Sequence, residues 1–256
     1  MQNLGTLGGV DSSAISINST GQIVGWADNN AGSTEAFFYN NGSMQGLGTL
    51  GGTASVAEGI NSTNQVVGYA DNSAGDPQAF LYSNGVMQNL GTLGGTESSA
   101  HGINSTGQVV GRAYNSAENN QAFLYSNGVM QNLGTFGGTS SDAFGINSSG
   151  EVVGWADNSA GSQEAFLYNN GVMQNLNTLI GTDSSLYTLT SATAINSLGQ
   201  LAVNGTVNST GQSVAFLLTP ITTSSSTAVP APGSLALLVF GMMGLVLLSR
   251  KQVWKR

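Results

Sequence analysis

The sequence predicts an all-β protein, a five-bladed β-propeller with four-stranded blades, followed by a C-terminal transmembrane helix. Three observations lead to this prediction: a repeat of 43 residues, four short strand-like segments in each repeat, and a composition rich in turn-forming residues. The 256 residues include 37 glycines, and only 7% are charged. Gly, Asn and Ser supply turns, whereas the Val, Ile, Phe and Tyr between them favour strands.

An Ile-Asn pair marks the repeat, and its asparagine recurs at intervals of 43, 43, 43 and then 49 residues. An Ala-Phe pair keeps nearly the same register further along each unit. Periods in the low forties are typical of propeller blades, so a repeat architecture is expected. The five asparagines are Asn18, Asn61, Asn104, Asn147 and Asn196.

Each unit divides into four segments, which in the third unit read SSAHGIN, QVVGRAY, QAFLYS and VMQNLGTF. The turns NSTG and SNG join the first two segments and the last two. Asn-Gly before an apolar residue predicts a β-hairpin. Apolar residues are three apart in the fourth segment, as on a helix. Its Asn, Gly and Thr are poor helix formers, so it is predicted as a strand that ends in a bend.

The chain begins with the fourth segment of a unit, MQNLGTL, and its last unit has only the first three segments. We expect the N-terminal strand to complete the last blade, which closes the ring and removes an open sheet edge. The propeller then spans residues 1–219. The alternative is an open β-solenoid or stacked-hairpin array, which needs capping repeats that neither end resembles.

Three elements recur in order in most units up to about residue 218: GIN..GQVVG, AFLY..G and LGTLGG. In these elements the chain resembles the HAF family of bacterial extracellular repeats. The resemblance implies an extracellular location and a repeat fold, and it implies no particular activity. The histidine of the family's motif, before the Ala-Phe pair, is replaced here by Glu35, Gln78, Gln121, Glu164 and Val214.

A Ser/Thr-rich linker over residues 220–228 separates the repeats from a tail over 229–256. The tail resembles a PEP-CTERM sorting signal, with a proline motif, an apolar run at 234–248 and a basic end. Ala231 stands where that family usually has Glu. The resemblance implies an exosortase-type processing enzyme as a partner. The alternative is that the tail is an ordinary single membrane anchor. The sorting motif comprises Val229, Pro230, Ala231 and Pro232.

The apolar run of 15 residues is short for a membrane-spanning helix, which needs roughly 20. Its basic flank at Arg250 and Lys251 fits a cytoplasmic end. We expect this helix to hold the protein in the membrane before processing, at the surface of a Gram-negative bacterium. A surface protein needs an export signal, and Met1 lacks the basic and apolar regions of one. The expectation is therefore that the signal peptide is missing from this sequence.

Charge and cysteine content exclude several classes of protein. All thirteen acidic residues precede Arg250, together with a single basic residue, Arg112, which gives this part a formal charge of about −12. Such a body repels phosphate backbones, so nucleic acid is not expected as a partner. Without cysteine there are no disulfides and no thiolate metal sites. One Asp per repeat is too few for calcium, and no cofactor or metal is predicted.

Candidate ligand-binding residues follow the VVG or IVG triplet of three repeats, where an aromatic residue and an acid are two positions apart. Residues with that spacing share one face of a strand. A ring can cover the apolar face of a sugar while a carboxylate accepts hydrogen bonds from its hydroxyls. The alternative is that the rings pack between blades and the acids begin turns. The pairs are Trp26 and Asp28, Tyr69 and Asp71, and Trp155 and Asp157.

The leading interpretation is a non-enzymatic surface protein, either a passive scaffold or a lectin-like binder of exopolysaccharide. The alternative is a carbohydrate-active hydrolase or lyase on a five-bladed propeller. That alternative requires blade-specific residues to converge, above all Glu58 and His101, which occupy a variable position three residues before the repeated Asn. Without a nucleophile or a second placed carboxylate, general acid–base chemistry has little support, and no catalytic residue is predicted.

Overall fold

The computed structural model describes residues 1–220 and 245–247, and within them the chain is all β, as predicted. Two short 3-10 helices, Leu176–Thr178 and Gly181–Ser185, interrupt the strands. The strands are β1 (Gly8–Ile17), β2 (Ile23–Asn29), β3 (Thr34–Asn40), β4 (Ser43–Gly46), β5 (Gly51–Ile60), β6 (Val66–Asn72), β7 (Pro77–Ser83), β8 (Val86–Gly91), β9 (Gly94–Ile103), β10 (Val109–Asn115), β11 (Asn120–Ser126), β12 (Val129–Asn132), β13 (Gly137–Ile146), β14 (Val152–Asn158), β15 (Gln163–Asn169), β16 (Val172–Asn175), β17 (Tyr187–Ile195), β18 (Leu201–Val207), β19 (Ser213–Pro220) and β20 (Leu245–Leu247).

Each repeat forms one antiparallel sheet whose four strands lie side by side in chain order, from β1-β2-β3-β4 to β17-β18-β19-β20. The sheets are numbered here from first to fifth along the chain. Each sheet packs face to face against the next, and the core lies in the layers between them. The phenylalanine of the Ala-Phe pair is fully buried in the first four sheets: Phe37, Phe80, Phe123 and Phe166.

The glycine of the VVG triplet is required by a close approach between two strands. In the first four sheets the first strand is bulged opposite this glycine, as between β9 and β10. A Cβ on Gly111 would lie 2.0 Å from the carbonyl oxygen of Ser99, and the equivalent glycines of β2, β6 and β14 show the same obstruction. A side chain therefore does not fit at this position in the first four sheets, whereas the fifth sheet has Val203 there.

A buried serine connects the first three sheets with their successors. Ser55 Oγ, on the second sheet, accepts a hydrogen bond from the Ala36 amide of the first sheet at 2.9 Å. The same hydroxyl donates to the carbonyl of Gly48 at 2.6 Å. Ser98 and Ser141 make the equivalent pair of bonds one and two sheets further on. These serines satisfy backbone groups that would otherwise be buried without partners.

The repeated asparagine forms a second connection between sheets. Its side-chain amide donates to the backbone carbonyl of the next repeat's asparagine, from Asn18 to Asn61 at 3.1 Å and onward along the array. The last such bond joins Asn147 to Asn196 at 3.4 Å. Asn196 itself donates to Gln200 of its own turn. The asparagine ladder thus ends at the fifth sheet and does not return to Asn18.

The prediction of a closed five-bladed propeller is wrong. None of the five sheets is closed or curled, and the first and fifth sheets make no substantial contact in the described part of the chain. The N-terminal segment does not complete the last sheet. Leu4 and Leu7 instead pack on the core of the first sheet, and Gln2 donates to the Tyr39 hydroxyl at 2.7 Å.

The physical reason lies in what the LGTLGG segment contacts. Between the second and third sheets, Leu90 and Leu93 of this segment pack against the core of the following sheet. Gln88 likewise donates to Tyr125 of that sheet at 2.9 Å. The N-terminal copy makes the same contacts with the sheet that follows it, which is the first. The result is an open array of stacked sheets, the alternative that the sequence left open.

The prediction of a transmembrane helix is also wrong. Among the described residues no helix is long and apolar enough to cross a membrane. The described part of the predicted helix 234–248 is strand β20, which pairs with β19 and covers the edge expected to receive the N-terminal strand. The sorting motif at 229–232 and the linker after Pro220 lie outside the described residues.

Replacing Ser55 with Ala removes both of its sheet-bridging bonds and leaves an amide and a carbonyl without partners. We expect this variant to lose roughly 2–3 kcal/mol of unfolding free energy. Chemical denaturation followed by circular dichroism measures the loss. Ser12→Ala is the matched control, because the Ser12 hydroxyl makes only an exposed bond to Gly5 and should cost less than about 1 kcal/mol. Equal losses in the two variants would contradict the bridging role.

Candidate functional site

A cleft of about 380 Å³ opens on the second and third sheets. Strands β5 and β6 contribute Glu58 and Tyr69, and the third sheet contributes the other polar and aromatic side chains. Its volume lies within the roughly 300–1,000 Å³ typical of small-molecule sites. The side chains that give the cleft its chemistry are Glu58, Tyr69, Glu97, His101, Arg112, Tyr114 and Asn120.

His101 lies between two carboxylates that come from the neighbouring sheets. The first strands β5, β9 and β13 are adjacent, which brings Glu58, His101 and Asp142 together. His101 Nδ1 is 2.5 Å from Glu58 Oε2. On the other side, His101 Nε2 is 3.3 Å from Asp142 Oδ1. The angle at this second contact is poor for a hydrogen bond, and both atoms are buried without other partners, so charge attraction links them.

The protonation state of His101 follows from these neighbours. Burial disfavours the charged imidazole, but interaction with Asp142 and Glu58 outweighs burial and raises the pKa of His101 to about 9. At neutral pH the ring is therefore a cation that is engaged on both nitrogens. Such a ring is poorly suited to accept a proton as a general base, which needs a pKa near the working pH.

Arg112 is the only arginine or lysine before residue 250 and lines the cleft beside His101. Its nearest anionic partner is Asp142, with 3.9 Å between Nη1 and Oδ2. The Asp142 side chain is only 5% exposed, whereas that of Arg112 is 48% exposed. The guanidinium thus keeps donor capacity free for a ligand.

Tyr69 and Tyr114 provide the aromatic surface of the cleft. Burial, together with the nearby charges of Glu58 and Asp71, raises the pKa of Tyr69, although Arg112 acts in the opposite direction. The Tyr69 phenol therefore stays neutral and can donate a hydrogen bond. Asn120 Oδ1, also at the cleft, is a buried acceptor without a hydrogen-bond partner.

The predicted aromatic and acid pairs do not come together. They lie half-buried on three separate sheets, on β2, β6 and β14. Of these residues, only Tyr69 lines the cleft. Asp71 accepts a hydrogen bond from the Ala54 amide at 3.2 Å, which is a structural role. The other pairs are Trp26 with Asp28 and Trp155 with Asp157.

The structure does bring together Glu58 and His101, which the sequence singled out as blade-specific residues. Sequence reasoning missed Asp142, which stands where the other repeats have Ser13, Val56, Ser99 and Ser191. It also left Arg112 unassigned, although this residue stands where the first, second and fourth sheets have an aromatic residue. Comparison of equivalent positions between repeats was the signal that could have found both.

The described residues contain no group of three or more His, Asp or Glu side chains arranged to hold a metal ion. Of the carboxylates that line the cleft, Glu58 is paired with the imidazolium of His101. The chemistry of the cleft is therefore that of hydrogen bonding, ring stacking and charge pairing.

Comparison with known proteins gives one partial match. The family described as "Protein of unknown function (DUF3466)" matches residues 96–220. This stretch includes His101, Arg112 and Asp142, but it begins after Glu58 and Tyr69 of the second sheet. No curated protein matches the chain. The match therefore carries no activity.

His101 is the only histidine of the chain, so its ionisation can be followed directly by NMR. The ring proton signals should titrate with a pKa near 9, well above the ordinary 6.5. Because the folded pKa is the higher one, this group stabilises the fold fully below pH 6.5. We expect about 3 kcal/mol of that stability to be lost as pH rises from 6.5 through 9. Titration near 6.5 would contradict the paired arrangement.

Glu58→Gln should lower the pKa of His101 by roughly 1–2, because it removes one of the two anions beside the ring. The same NMR titration measures the change. Glu97→Gln serves as the control, since Glu97 lines the cleft without contributing to the ionisation of His101. If the two variants titrate alike, the 2.5 Å contact does not determine the charge of the ring.

Proposed function

We propose that this protein is a non-enzymatic cell-surface protein that binds carbohydrate in the cleft of the second and third sheets. The observation that carries the proposal is the combination of two tyrosine rings with hydrogen-bonding groups of both kinds. Tyr69 and Tyr114 offer ring faces for the apolar side of a sugar. Glu97 offers acceptors, and Arg112 offers donors. Sugars present apolar faces and hydroxyls side by side, which suits this lining.

The charge arrangement favours binding over catalysis. A hydrolase or lyase needs a group that is free to take or give a proton. His101 is held as a cation between Glu58 and Asp142, and each of those carboxylates faces it. Glu58 and His101, the pair that the enzyme alternative requires, are therefore already paired with each other.

The location at the cell surface is supported by two sequence resemblances. Residues 1–218 resemble the HAF extracellular repeats, and residues 229–256 resemble a PEP-CTERM signal. Accordingly, an exosortase-type enzyme is the proposed processing partner, and exopolysaccharide is the proposed ligand. The strongly acidic body fits a protein that stays soluble in a crowded matrix.

The test is calorimetric titration of the purified chain with exopolysaccharide from the producing organism. The cleft variant Tyr69→Ala/Tyr114→Ala should bind at least about tenfold more weakly, because stacked rings contribute on the order of 1 kcal/mol each. The control variant Trp26→Ala/Trp155→Ala removes two aromatic rings from the equivalent strands β2 and β14, outside the cleft. It should bind as the unmodified protein does.

Two binding results would overturn the proposal, and so would evidence of turnover. One is binding that survives in the cleft variant but disappears in the tryptophan variant, which would move the site to the strand pairs. The other is the absence of heat with every protein. Release of new reducing ends or unsaturated sugars during the titration would identify an enzyme instead.

A further inference from the structure

The two outermost sheets of the array carry apolar faces that are buried at every inner position. On the first sheet, Ala14 and Ile17 of β1 point outward. Ile17 is 65% exposed, whereas the equivalent Ile60 of the second sheet is 9% exposed. Ala57, the equivalent of Ala14, is fully buried. Ala14 and Ile17 define the first-sheet face. It has the residues of one side of an internal sheet interface, but no sheet among the described residues packs against it.

The outward side of the fifth sheet is the complementary half. Leu217 of β19 is 50% exposed and stands where the fourth sheet has Leu167, which packs on the core of the fourth interface. Three alanines on the same side are also exposed. The described strands of the fifth sheet carry no charged residue on this side, although the exposed Asn204 and Ser213 adjoin the apolar residues. The fifth-sheet face consists of Ala194, Ala202, Ala215 and Leu217.

The asparagine ladder presents matching hydrogen-bonding groups at the same two places. At inner positions the backbone carbonyl accepts from its own turn and from the previous sheet, as Asn61 accepts from Asn64 and Asn18. The Asn18 carbonyl accepts only from Gly21. At the other end, the Asn196 side-chain amide donates only to Gln200. One end therefore has a spare acceptor and the other a spare donor.

We infer that the fifth-sheet face of one copy docks on the first-sheet face of a second copy, in the geometry of the internal sheet interfaces. The occupant is a second copy because the two faces are the two halves of an interface that the chain forms four times. In each internal cluster the equivalents of Leu217 and Ile17 occur together, as Leu124 and Ile146 do. The contact is head to tail, so it joins unlike faces and can continue into a longer assembly.

The test uses two variants that each disable one face of the full chain, Ile17→Glu and Leu217→Glu. Analytical ultracentrifugation over a concentration series measures association. The unmodified protein should form dimers and larger species, while each variant alone stays monomeric. An equimolar mixture should form dimers and nothing larger, because one intact head meets one intact tail. Val86→Glu, at the 65% exposed first residue of β8, lies outside both faces; it is the control and should associate like the unmodified protein.

Four results would overturn the inference. A monomeric unmodified protein at all concentrations would show that the two faces do not bind each other. Association that persists in both variants would assign it to another surface, including the segment after residue 220. Variants that remain monomeric when mixed would show that an intact first-sheet face does not bind an intact fifth-sheet face, and a dimer of either variant alone would show that like faces pair. Circular dichroism spectra identical to that of the unmodified protein ensure that these results do not reflect unfolding.

Discussion

The interface between neighbouring sheets is the constraint on which the rest of the structure depends. A four-stranded sheet of this size cannot bury its own apolar residues, so each repeat needs a neighbour. The buried serines and the asparagine ladder make that contact specific, because they satisfy backbone groups only at one register. The fourth interface replaces the serine with Asn177, which bonds both the amide and the carbonyl of Leu189. The need for a backbone partner is the same there, while the side chain that meets it differs.

The candidate site arises where the repeat departs from its own pattern. A charged group at a sheet interface is costly unless it is paired. Glu58, His101 and Asp142 come from three successive sheets, and the imidazolium of His101 is paired with the carboxylates on either side of it. Arg112 is also paired, with Asp142 of the next sheet. It replaces an aromatic residue and lies opposite Ser99, which is the third-sheet equivalent of Asp142. The cleft thus unites the only histidine with the only arginine among the first 220 residues.

Much of the secondary structure could be predicted from the sequence, because turn chemistry and the period of 43 residues are local signals. Asn-Gly hairpins mark strand limits directly, as Asn84 and Gly85 do between β7 and β8. The closure of the array could not be predicted in this way. It depends on whether Leu4 and Leu7 contact the sheet that follows them or the distant last one, and their sequence is compatible with both. The site was only partly visible for a similar reason: Glu58 and His101 stood out by position, but the contact with Asp142 depends on the spacing between sheets.

The distance between the first and fifth sheets tests the open array most directly. The chain has no cysteine, so spin labels can be placed at chosen pairs of exposed turn residues. Ala31→Cys with Ala74→Cys reports the distance between neighbouring sheets, and Ala31→Cys with Ser209→Cys reports the first and fifth at the equivalent turn. Electron–electron resonance on labelled protein diluted into unlabelled protein should give a clearly longer distance for the second pair. Equal distances for the two pairs would mean that the fifth sheet neighbours the first and that the ring is closed.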